Sequence, residues 1–185
     1  MKKIFIITIV LLLFLAGCSS AGSSANKLGL AQLTSIASST DLAAGTDGKL
    51  IGKAQADTTM CAVMVDAAGK VIDIKIDVAQ TAINFDDKGV ITTDKTAAVQ
   101  SKREKGADYG MIKASKIGRE WFEEVDAIQK WMIGKTADQI KGMKVAVSAA
   151  EGGNISAEPD LVSSATLKID DFITIAAKAI ADATK

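Results

Sequence analysis

Four patterns of apolar and polar positions divide the chain. The first is an apolar run from Ile4 to Ala16 behind Lys2 and Lys3. It is shorter than the roughly 20 residues a helix needs to cross a bilayer, so it predicts a removed export signal rather than a permanent span. The second is an alternation over Val71–Val78, with Val71, Asp73, Lys75 and Asp77 on one side and Ile72, Ile74, Ile76 and Val78 on the other. A period of two predicts a strand with one buried face. The third is helical. Ile117, Trp121, Val125, Ile128 and Met132 share one face between Ala107 and Ile133, with Phe122 widening the stripe and Glu120, Glu123, Glu124 and Lys130 placed mostly away from it. The fourth, Asp170 to Lys185, puts Phe172, Ile173, Ala176, Ala179 and Ile180 on one side of a second helix, with Asp170 as its N-cap.

Shorter signals fill the gaps. Leu50–Thr59 and Met60–Asp66 are predicted strands, Ala67–Lys70 and Asp86–Gly89 turns, and Val90–Thr92 a short strand. Gly134 closes the central helix, and Thr136-Ala137-Asp138-Gln139 is a capping box for a short helix running to about Gly142. Val145 and Val147 mark another brief strand, and Glu151–Asn154 a loop. The expected fold class is α+β, an antiparallel sheet packed against a long central helix and a C-terminal helix. Residues 45–185 supply roughly 140 positions for it, enough for one domain with a substantial core. Residues 28–44 hold a weak apolar pattern (Leu28, Leu30, Leu33, Ile36) that fits either a short helix or more tether.

The apolar run ends in Leu15-Ala16-Gly17-Cys18, which resembles the lipobox of bacterial lipoproteins. The resemblance implies a signal peptide over residues 1–17, cleavage before Cys18, a diacylglyceryl group on that thiol, and a lipidated tether over 18–44. Two acyl chains give stable anchoring. Cleavage also alters the charge: the full chain has 22 basic and 22 acidic side chains, and losing Lys2 and Lys3 leaves 20 against 22, a net charge of −2. No basic surplus points to nucleic acid. With Cys18 acylated, Cys61 has no partner for an internal disulfide, and its neighbours Met60, Ala62, Val63 and Met64 mark it as a buried strand thiol. The chain has no histidine, which removes Ser-His-Asp and Cys-His catalysis and most zinc chemistry.

What chemistry remains concentrates in Asp160-Leu161-Val162-Ser163-Ser164-Ala165-Thr166, just upstream of the C-terminal helix. Hydroxyls and free backbone N–H groups before a helix suit an anion, and the same residues also cap and turn. The heptad resembles the Asp-x-x-Ser/Thr-Gly-Ala-Thr motif of the FMN-binding domain found in bacterial lipoproteins and in the C subunit of sodium-pumping NADH:quinone oxidoreductase. It departs at one defined position, where Ser164 replaces glycine. Two looser likenesses accompany it, Asp47–Gly52 as an opening strand and Val63–Ile72 as a strand–turn–strand.

The resemblance implies FMN held at Thr166 through a phosphoester, installed by a flavin transferase that uses FAD and magnesium. Asp160 and Ser163 would shape the loop, and Ala165 would let the chain approach the phosphate. A serine at position 164 costs on the order of 1 kcal/mol if the family's glycine serves for its positive φ. The expected function is electron relay by an anchored flavoprotein at the outer face of the cytoplasmic membrane, with redox proteins or quinones as partners. The alternative is a cofactor-free binding or interaction lipoprotein on the same fold. Trp121, Trp131 and Tyr109 are the main aromatic walls available to a flavin ring.

Overall fold

In the computed structural model, residues 25–185 are described; the signal segment, Cys18 and the tether through residue 24 lie outside the described residues. Four antiparallel strands make the main sheet: β1 (Lys27–Ser35), β2 (Thr40–Ala44), β3 (Leu50–Val65) and β4 (Val71–Asp86). β3 is the axis. β4 pairs along its whole length, while β1 covers its C-terminal half (Ala31 opposite Cys61) and β2 its N-terminal half (Ala43 opposite Ile51). Residues 50–65 are thus one long strand, and the strand predicted at 71–78 continues to Asp86. The β3–β4 hairpin turns on Asp66, whose carboxylate accepts from the Ala68 and Lys70 N–H groups, both at 2.9 Å. Residues 28–44, for which the sequence allows a short helix or more tether, instead form most of β1, a turn and β2 of the sheet.

The inner face of this sheet carries Cys61, Val63, Val65, Val71, Ile74, Ile76 and Val78, all buried. A register irregularity at Met64–Val65 puts Val71 inside and Ile72 outside, so the strict alternation expected at 71–72 breaks there. The helices cover this face. α1 (Lys102–Lys105) is a single turn, α2 (Trp121–Met132) the central helix, α3 (Ala137–Lys141) a short one, and α4 (Asp170–Ala183) the C-terminal one. The Thr136–Gln139 capping box forms as expected at the start of α3.

The central helix is shorter than its predicted span. Gly118 takes a φ of 63°, Glu120 is an extended N-cap that forms a capping box with Glu123, and residues 106–113 are single 3₁₀ turns. Ile117 therefore lies before the helix. Trp121, Val125, Ile128 and Met132 are buried on α2, and so are Glu124 on the helix and Glu120 at its cap, which the pattern had set aside. α1 and α2 together close the exposed edge of β4. Gln129 Oε1 accepts from Ile76 N at 2.6 Å, and Arg103 Nε donates to the Ile76 carbonyl at 2.6 Å. These contacts supply partners to a backbone N–H and C=O that the edge would leave unpaired. The overall arrangement is α+β, helices packed on antiparallel sheets.

A small hairpin, β5 (Val145–Ser148) with β6 (Gly153–Ser156), holds both ends of the heptad region. At the near end Glu158 Oε1 accepts from Lys144 N at 2.8 Å. At the far end the Asp170 carboxylate accepts from Asn154 N at 3.0 Å and Asn154 Nδ2 at 2.8 Å. Asp170 is consequently the first residue of α4 rather than its cap; Ile169 occupies the cap position.

Candidate functional site

Residues 158–165 wind into helical turns. Leu161 and Val162 N–H donate to the Glu158 carbonyl, and Ser164 and Ala165 N–H to the Leu161 carbonyl, at 2.7–3.1 Å. Four-residue spacing buries Leu161 and Ala165 in the hydrophobic core and leaves Asp160 and Ser163 exposed. No residue other than glycine has a positive φ among the described residues, so Ser164 adopts its conformation without the cost expected for a left-handed position. Ala165 packs into the core instead of lying open beside Thr166.

The chain then turns and Thr166 meets α2. Thr166 N–H donates to Glu124 Oε2 at 2.7 Å, and the Thr166 hydroxyl donates to the same oxygen at 3.2 Å. The other oxygen, Oε1, accepts from Ser115 Oγ at 3.0 Å. Glu124 is fully buried, and no lysine or arginine lies within salt-bridge distance among the described residues. Three hydrogen bonds to one carboxylate compensate part of its desolvation. The sequence held a signal for this residue: Glu124 stands three positions after Trp121 and four before Ile128, which is helical spacing on the buried stripe.

The heptad borders two separate cavities. Thr166 lines a small one of about 180 Å³, together with Ser115, Lys116, Glu124, Glu151 and Leu167. Asp160 and Ser164 border a larger open cleft of about 670 Å³ on the other side of α2, walled by Trp131, Arg119, Lys130 and Lys135. Lys135 Nζ stands 4.3 Å from the Trp131 ring centre. Ser163 lines neither. Of the three aromatics expected near a ligand, Trp131 alone lines either of these two cavities. Trp121 is buried edge-to-face with Phe172 at 6.4 Å, and Lys102 sits over both Trp121 and Tyr109.

The small cavity matches the size of a phosphate ester, while its lining sets one cation, Lys116, against two carboxylates, Glu124 and Glu151. Lys116 brings a cation and Ser115 a hydroxyl to the space Thr166 Oγ1 adjoins. Its volume is below the roughly 300 Å³ of even small ligand pockets, so it admits a phosphate and not a flavin ring. Esterification would remove the hydrogen that Thr166 Oγ1 gives to Glu124 and bring a second negative charge near that carboxylate. Lys116 is the cation placed to offset it.

Comparison with known proteins adds the other end of the chain. A family model for the prokaryotic membrane lipoprotein lipid attachment site matches residues 1–19, and no FMN-binding family model matches. No curated protein and no solved structure matches the chain. The protein is a lipoprotein held to a membrane by its lipid. No helix among the described residues is long and apolar enough to cross a membrane.

Proposed function

We propose that this lipoprotein is a flavin carrier, with FMN esterified to Thr166, that relays electrons at the outer face of the cytoplasmic membrane. The observation that carries the reading is the Thr166 hydroxyl, held by a buried carboxylate at the wall of a cavity that also contains Lys116. The heptad's likeness to the FMN-attachment motif supports it, as does the lipid attachment site at the N-terminus.

Attachment from FAD by a flavin transferase balances as a phosphoryl transfer. Thr166 Oγ1 forms the new bond to the FMN phosphorus, the pyrophosphate bridge breaks, and AMP leaves. Glu124 is placed to receive the hydroxyl proton. Bound FMN supplies the one- and two-electron chemistry, which this chain's own side chains lack. The protein's part is to hold the phosphate end beside Lys116 and Ser115. Redox proteins or quinones would exchange electrons with the ring.

Intact mass and denaturant-resistant flavin fluorescence test the proposal on protein made in a host with the transferase. One FMN-sized addition that Thr166→Val abolishes supports it; wild-type protein without any flavin overturns it. A second reading, a cofactor-free binding lipoprotein, draws on the larger cleft at Trp131, which Asp160 and Ser164 border and Thr166 does not. Ligand binding there by flavin-free native protein, lost on Trp131→Ala, would establish it in place of the first.

A further inference from the structure

Strand β1 is built with its large side chains on the outside. Gly29, Ala31 and Leu33 face the helices, while Leu28, Leu30 and Gln32 face away. Leu28 is 73% exposed and Leu30 68%, high values for leucines in a paired strand. The cause is local. A Cβ at Gly29 would collide with the Ala179 carbonyl and with Ala183, so α4 lies directly on a strand stripped to its backbone there. The outer partners of the leucines on β3 are also apolar: Met64 pairs with Leu28, Ala62 with Leu30, and Met60 with Gln32. Met60, Ala62 and Met64 are exposed. β4 contributes Asp73, Lys75 and Asp77 beside them, so the apolar strip ends at a charged border with no cationic surplus.

The edge of β1 is blunted beside this strip at Leu30. The Leu30 N–H, which points out of the sheet, donates to Asp182 Oδ2 at 3.1 Å. Blunting of that kind disfavours strand addition and leaves the face as the available surface. Position in the chain then identifies its occupant. Only nine residue steps separate Cys18 from Lys27, a reach of at most about 30 Å when fully extended. The lipid holds the N-terminal end of β1 near the bilayer, and Leu28 and Leu30 lie within the first four residues of the fold.

We infer that the outer face of β1 and β3, with Leu28, Leu30, Met60 and Met64, rests on the surface of the membrane that holds the Cys18 lipid. The contact is apolar, with the side chains set among headgroups and upper acyl chains. It orients the domain so that the helical layer and both cavities beside α2 face away from the bilayer. It does not depend on whether Thr166 carries flavin.

The test uses the lipidated full chain in phosphatidylcholine–phosphatidylglycerol vesicles. Single cysteines replace Ala62 or Gln32 on the outer face, or Lys178 on the exposed side of α4, and carry an environment-sensitive fluorophore. Cys61 is buried, which keeps it from taking the label. Labels at 62 and 32 should shift to the blue and be quenched by lipids brominated on the acyl chain, and the label at 178 should not. Adding Leu28→Asp and Leu30→Asp should abolish that quenching while the protein stays anchored, with an unreactive Cys61 confirming the fold. Equal response at all three positions overturns the inference. So does blue-shifted fluorescence at 62 and 32 that depends on protein concentration and not on brominated lipid, which would mark a second copy as the occupant.

Discussion

The carboxylate of Glu124 takes both polar hydrogens of Thr166, at 2.7 Å from the backbone nitrogen and 3.2 Å from Oγ1, although the two residues are 42 positions apart. This pair joins the heptad to the central helix. Glu124→Ala would leave the Thr166 N–H and the Ser115 hydroxyl without their partner inside the protein and open a small void. The expected loss is about 3 kcal/mol in urea unfolding, read from the midpoint at unchanged m value. Thr166→Val keeps the N–H bond and loses only the hydroxyl, so about 1 kcal/mol is expected. Equal midpoints for wild type and Glu124→Ala would remove Glu124 from its structural role.

That pair also marks the boundary of what the sequence made legible. The period of two at 71–78 and the capping box at Thr136 are local signals, and both elements formed where those signals lie. The buried acid escaped because charge is ordinarily a sign of solvent, and only its three- and four-residue spacing to Trp121 and Ile128 says otherwise. β1 escaped for a different reason. Its inward positions begin with Gly29 and Ala31, and α4 leaves no room for a side chain at Gly29, so Leu28 and Leu30 point the wrong way for a pattern reader. The heptad was legible as a unit, but its division between two cavities depends on how the chain packs on α2.

Gly29→Ala tests the close approach of α4 to β1. The added methyl would overlap the Ala179 carbonyl and Ala183, both part of a well-packed helix. Relief requires moving α4, at a cost of about 3 kcal/mol. Thermal unfolding should show a clear fall in Tm for Gly29→Ala, whereas Gly48→Ala, at a turn with open space around it, should lose only what its positive φ costs, about 1 kcal/mol.

Gln129 supports an edge and not a site. Its Oε1 accepts from Ile76 N at 2.6 Å and Arg103 Nη2 at 2.9 Å, closing β4 where no further strand follows. Gln129→Leu preserves volume and removes the acceptor, so the Ile76 N–H is left without a partner. A loss of about 2 kcal/mol is expected, along with faster amide exchange at Ile76. Unchanged exchange at that amide would show that the side chain is not what protects the edge.

Asp170 should give the fold a measurable acid limb. The Asn154 N–H holds its carboxyl below the ordinary value of 3.8, with Asn154 Nδ2 and the charge of Lys168 adding to the effect and partial burial opposing it. A depressed folded pKa means the contribution is complete above the unfolded value and disappears as pH falls through the folded one. Asp170→Asn should therefore lower Tm at neutral pH, and the gap to wild type should narrow below about pH 4. A gap that stays constant into acid would mean that charge plays no part in clamping the hairpin to α4.

Cys61 offers the last test, because burial pushes its thiol from 9.0 up to about 12. In the folded protein the reactive thiolate is nearly absent at pH 8, and the side chain has no exposure through which a reagent enters. Alkylation of Cys61 should be negligible in buffer and should rise with urea along the same curve as the loss of tertiary structure. The raised pKa also sets a sign at the alkaline end. The neutral thiol is favoured in the fold, so its contribution is intact below the unfolded pKa and is lost as pH climbs through the interval between 9.0 and about 12. Cys61→Ala should flatten that alkaline fall relative to wild type, while costing stability at neutral pH through the void left on the inner face of β3. Rapid alkylation of native protein at pH 8 would show that β1 and β3 open locally, and would weaken the packing assigned to this part of the sheet.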